Sequence, residues 1–131
     1  MSRIAIAVLL ASCEASPHLH VKVRGGVMLD PAKLHVEDDA RGDAQFTPSW
    51  SPAHVLEQRA VADGIDLEIG LSIGAHVYTL VRVWYDANGN HAVDAGDLIG
   101  ELSTPFDARD RGGCSSRDAN RAPDIVLAPR S

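Results

Sequence analysis

The chain has 131 residues, of which 45% are hydrophobic, with a net charge of −6 and a pI near 5.4. That length suits one domain with its own core and is short for two. The apolar content excludes a wholly disordered chain, and the acidic balance argues against a nucleic-acid binder, which carries a basic stripe. No stretch reaches the roughly 18 to 20 apolar residues that a bilayer-spanning helix needs. Seven prolines and eleven glycines predict many turns.

The first thirteen residues, MSRIAIAVLLASC, place a basic residue, Arg3, before eight apolar residues, Ile4 to Ala11, and end on Ser12 and Cys13. This is the order of an export signal. The tetrad Leu10-Ala11-Ser12-Cys13 resembles the bacterial lipobox. The resemblance implies cleavage before Cys13, a lipid on that cysteine, and, with Glu14 next, an outer-membrane destination. We therefore expect residues 1–12 as a lipoprotein-type export signal, 13–17 as a tether, and 18–131 as one domain, touching the membrane through the lipid anchor alone. The alternative is a first strand that ends at a chance cysteine. If Cys13 is not lipidated, it could pair with Cys114, which sits in the Gly- and Ser-rich stretch DRGGCSSRD.

Strand signals follow in chain order. In residues 18–24, Leu19, Val21 and Val23 alternate with His18, His20, Lys22 and Arg24, the pattern of a half-buried strand. A second strand is expected near Val27, a turn at Asp30-Pro31, and a third strand around Leu34 to Val36. Residues 37–52 are polar and rich in turn formers, and are expected as a long loop. Residues 54–61 fit two helical turns or a strand. After a turn at Asp63-Gly64, five aliphatics (Ile65, Leu67, Ile69, Leu71 and Ile73) alternate with Asp66, Glu68, Gly70 and Ser72, the clearest core strand of the chain. Gly74-Ala75 turns the chain. Residues 76–86 are β-branched and aromatic on both faces, as suits a central strand. Residues 98–106 are expected as another strand, 107–120 as a polar connection, and 124–129 as a closing strand. The fold class expected is all-β: an antiparallel β-sandwich of six to eight strands, with room for one short helix.

Between two of these strands lies DANGNHAVDAGD, residues 86–97, with three aspartates and two asparagines in twelve positions. An EF-hand-type loop takes oxygens from positions 1, 3, 5, 7, 9 and 12. Here these are Asp86, Asn88, Asn90, the backbone carbonyl of Ala92, Asp94 and Asp97. Alternating donors on a curled loop converge on one point, and a dication relieves the repulsion among three carboxylates. We expect Ca²⁺ as the ion. A polar hairpin turn accounts for Asn88-Gly89, but not for oxygen donors at all five side-chain positions. Two positions depart from the pattern: His91 stands where a glycine is usual, and Asp97 where a glutamate is usual, with Glu101 a candidate substitute. Both changes predict an affinity in the range of about 10⁻⁴ to 10⁻³ M typical of extracellular modules. Val93, at position 8, is expected to pin the loop to the core.

The stretch VRVWYDANGNHAVDAGDLIGE resembles the calcium-loop segment of exported bacterial β-sandwich modules of the transthyretin-like and related surface-protein type. The resemblance covers roughly residues 65–105 and implies a structural or adhesive module whose metal stiffens the fold. Its partners would be an envelope protein or a surface glycan.

Other signals are weaker. His18 and His20, on one face of a strand, could chelate zinc or copper with a third ligand, which makes a periplasmic transition-metal-handling protein the second expectation. Arg41-Gly42-Asp43 is treated as incidental. Trp84, inside a strand, is expected in the core, whereas Trp50 is left open between core and a carbohydrate-stacking surface. No phosphate loop, nucleophile elbow or zinc-protease helix is present, and no catalytic residue is expected.

Overall fold

The computed structural model describes residues 18–71, 76–109 and 120–130. Residues 1–17, where an export signal, a lipidated Cys13 and a tether are expected, residues 72–75 and the segment around Cys114 lie outside the described residues.

The described residues form ten strands in two sheets. These are β1 (His18–Arg24), β2 (Leu34–Arg41), β3 (Ser51–Pro52), β4 (His54–Val61), β5 (Gly64–Gly70), β6 (His76–Tyr85), β7 (Leu98–Glu101), β8 (Phe106–Arg109), β9 (Ile125–Val126) and β10 (Ala128–Pro129). One sheet has the order β4-β5-β1-β9. The other runs β10-β7-β6-β2-β3, with β8 also on β6. All pairings are antiparallel except β1 with β9. The chain is therefore an all-β sandwich.

Alternation decides what enters the core. Leu19, Val21 and Val23 of β1 and Ile65, Leu67 and Ile69 of β5 meet Leu34 and Val36 of β2 and Val77, Val81 and Val83 of β6 in one buried cluster. Burying such a side chain is worth about 1.5 to 3 kcal/mol, so these residues dominate the stability of the fold. β6 is the central strand of its sheet, as its two-sided apolar pattern predicts.

Several expectations change. Of the two readings open for residues 54–61, the strand is the one that forms. The only helical element among the described residues is the 3₁₀ turn Pro31–Lys33, capped by the Asp30 carboxylate on the Ala32 N–H. No strand forms near Val27, which is exposed beside Gly26 at φ 80°. Residues 37–41, expected in a loop, continue β2 because β6 supplies a full-length partner up to Arg41↔Tyr78. The strand expected over 98–106 is split. β7 faces the end of β6 that leads into the 86–97 loop, and β8 faces its beginning, extending the strand into the stretch expected to be a polar connection. The Leu102 N–H still donates to the Val81 carbonyl, and Thr79 pairs with Phe106, so Ser103, Thr104 and Pro105 together stand opposite Leu80. Pro105 cannot donate to a ladder, which favours a break there.

One polar device ties the two sheets together, and one glycine sets the spacing within a sheet. Asn120, fully buried, accepts from the Arg109 N–H at 3.0 Å and donates to the Arg109 carbonyl at 2.6 Å, while its own carbonyl accepts from His20 N. It thus links β8 of one sheet to β1 of the other. At the β4–β5 hairpin, a side chain on Gly64 would collide with the Val23 carbonyl oxygen, so the close approach of β5 to β1 requires glycine there.

Candidate metal centre

The register of β6 with β7 sets the loop. Tyr85 pairs with Leu98, so residues 86–97 begin and end side by side. Both end carboxylates, Asp86 and Asp97, are buried. The Asp86 N–H continues the ladder to β2 by donating to the Lys33 carbonyl, and the Arg130 N–H donates to the Asp97 carbonyl, so the chain's last described residue closes the loop's exit.

Asp86 and Asp97 act as anchors. Asp86 accepts from Gly89 N through Oδ1 at 3.1 Å and from His91 N through Oδ2 at 2.8 Å. Asp97 accepts from Ala87 N through Oδ1, and from Asp94 N and the Trp84 indole Nε1 through Oδ2, at 3.0 to 3.1 Å. The Asp94 N–H, with the Trp84 indole and the Ala87 N–H, holds the Asp97 carboxyl below its ordinary range against the opposing effect of burial. Asp97 is therefore ionised at neutral pH.

Two asparagine amides gather around Asp94 through their nitrogens. Asn88 donates through Nδ2 to both oxygens of Asp94, at 3.2 and 3.3 Å, and Asn90 donates to Asp94 Oδ2 at 2.5 Å. The two amide oxygens accept from the backbone N–H two residues on, Asn88 from Asn90 N and Asn90 from Ala92 N. Of the six residues expected as ligands, Asn88, Asn90 and Asp94 thus share one point. Asp86 and Asp97 face the backbone at the loop's base, and Ala92 is exposed. Glu101 lies on β7 opposite Arg82, away from that point. Val93 does not pin the loop to the core: it is 46% exposed and lines a shallow groove with Trp84, Ile99, Gly100 and Arg130.

The structure adds two candidate ligands that sequence reasoning missed. His35 on β2 and His91 in the loop bring a ring nitrogen each to the Asp86 carboxylate, with the three ligand atoms within 4.8 Å of one another. His35 stacks on Trp84 at 4.2 Å between centroids and 16° between planes. Trp84 is half-buried on the outer face of its sheet, not in the inter-sheet core. Trp50 is half-buried under the Arg82 guanidinium, 4.7 Å from its ring centre. The signal for His91 was its place at loop position 6, where its φ of 62° is the conformation glycine usually supplies. His35 gave no signal, because only the non-local pairing His35↔Trp84 brings it to the loop.

The β1 histidines are placed differently. His18 Nδ1 lies 2.8 Å from Glu68 Oε2 on the neighbouring strand. Compared with known families, curated proteins and solved structures, the chain matches none.

Proposed function

We propose that this protein is a non-enzymatic, calcium-stabilised β-sandwich module, exported and held at the bacterial envelope by a lipid on Cys13, with a structural or binding role. The observation that carries the calcium part is the gathering of the Asn88 and Asn90 amides on the Asp94 carboxylate, in a loop whose Asp86 and Asp97 carboxylates are anchored by backbone N–H groups. An amide or carboxylate oxygen that accepts one N–H keeps a second lone pair for a cation. No lysine or arginine lies within residues 86–97 to balance its three aspartates. A hard dication that takes six or more oxygens suits that deficit. Ca²⁺ would fix the loop, and with it the Val93 wall of the groove beside Trp84 and Ile99, where an envelope protein or a surface glycan would bind.

A thermal melt in calcium against chelator tests the claim. With a dissociation constant of about 10⁻⁴ to 10⁻³ M, 10 mM calcium stabilises the fold by about 1.4 to 2.7 kcal/mol. For a domain of this size that is a rise in Tm of about 5 to 10 °C. An unchanged Tm removes the calcium site. The mass of the mature N-terminus tests lipidation separately. The alternative, transition-metal handling by His18 and His20, has less support, since the His18 ring already engages Glu68.

A further inference from the structure

We propose that His35, Asp86 and His91 form a second site, for a borderline divalent transition metal of the zinc class. Two imidazoles and one carboxylate are a poor set for calcium, which takes oxygen, and a good one for zinc, copper or nickel. The ligand atoms already lie within 4.8 Å of one another. Arms of 2.0 to 2.1 Å in a tetrahedral site separate neighbouring ligands by about 3.3 Å, so closure needs side-chain shifts of up to about 1.5 Å. The fourth position stays open to water or to a ligand from a partner.

Each ligand is held by a different restraint. Asp86 is fixed by the N–H groups of Gly89 and His91. His35 is fixed by its stack on Trp84, whose indole N–H is in turn held by Asp97. His91 is fixed by the left-handed backbone of loop position 6. That position ordinarily favours glycine, so a histidine there carries a conformational cost that a role as ligand explains. Asp86 is also the first residue of the calcium loop. Only in this respect does the inference rest on the calcium proposal: one dication beside Asp94 and another on Asp86 lie in the same short loop and repel, so calcium weakens zinc binding.

Titration of the full chain with Co²⁺, and then competition with Zn²⁺, tests the site. The expected result is one equivalent bound, with visible d–d bands and no thiolate charge-transfer band from Cys13 or Cys114. Affinity falls at least tenfold in His35→Ala and in His91→Gly, and is unchanged in His18→Ala. Glycine suits φ 62°, so His91→Gly retains its fold, checked by circular dichroism, even if His35→Ala does not. Unchanged binding in His91→Gly, loss of binding in His18→Ala, or a thiolate band overturns the proposal. Cobalt binding without any effect of calcium on Tm keeps this site and removes the calcium one; the converse result does the reverse.

Discussion

Replacing His91 by glycine separates the backbone of the loop from the chemistry of its side chain. His91 is at φ 62°, where an L-residue costs about 1 to 2 kcal/mol. Glycine removes that cost but loses about 0.5 to 1 kcal/mol more entropy on folding. The difference predicts that His91→Gly, without any metal, is more stable than the wild type by about 0.5 to 1 kcal/mol. That corresponds to a rise in Tm of about 2 to 4 °C. Because the strain is present before calcium arrives, its relief appears in folding and leaves the calcium dissociation constant nearly unchanged. His91→Ala keeps the Cβ and loses the imidazole, so it falls below His91→Gly by about 1 kcal/mol. Denaturation in chelator, followed by calcium titration, measures both quantities. A metal-free His91→Gly protein less stable than the wild type refutes the reasoning. So does an unchanged stability with tighter calcium binding, which means that the loop adopts this backbone only when the ion binds.

Other outcomes follow from single side chains. Asp94→Asn leaves the metal-free fold nearly as stable, because it removes a charge faced only by the amides of Asn88 and Asn90, but abolishes the calcium-dependent rise in Tm. Asn120→Ala removes the side-chain partner of the Arg109 N–H and carbonyl and lowers stability by about 1 to 3 kcal/mol in urea denaturation. Burial, with Asp39 beside it, raises the Asp38 carboxyl to about 6. The folded state therefore binds that proton more tightly than the unfolded state does. The stability it contributes is complete below the ordinary value of 3.8 and is lost as pH rises through about 6. With partial exposure screening the effect, Asp38→Asn is more stable than the wild type at pH 7 by about 1 kcal/mol, with no gain at pH 3.5.

The parts of the fold legible in the sequence were those in which one strand's own alternation decides burial. β1 and β5 show it: Leu19, Val21 and Val23 pair with Ile69, Leu67 and Ile65 across a regular ladder. What stayed hidden depends on a partner. Glu37, Asp39 and Arg41 look like loop residues by composition, yet they are the outward positions of β2, held in the strand by β6. Leu98 to Phe106 looks continuous because Pro105 alone marks a break, and only the pairing with β6 shows that Leu80 faces three residues at once. Trp84 sits in an apolar run, but the phase of β6 turns it outward, away from Val81 and Val83 and onto His35.

The same distinction divides the candidate site. Donor spacing located Asp86 to Asp97 as one loop, but treated its six ligand positions as equivalent. Strand register makes them unequal. Because Tyr85 pairs with Leu98, Asp86 and Asp97 fall at the buried base, where free backbone N–H groups need acceptors, and their carboxylates become framework. Asn88, Asn90 and Asp94 project beyond that base, and there the amide Nδ2 groups now face the Asp94 charge. A cation at that point replaces two weak neutral donors without dismantling the anchors. Metal binding can then be gained or lost at the rim while the sandwich beneath it keeps its fold.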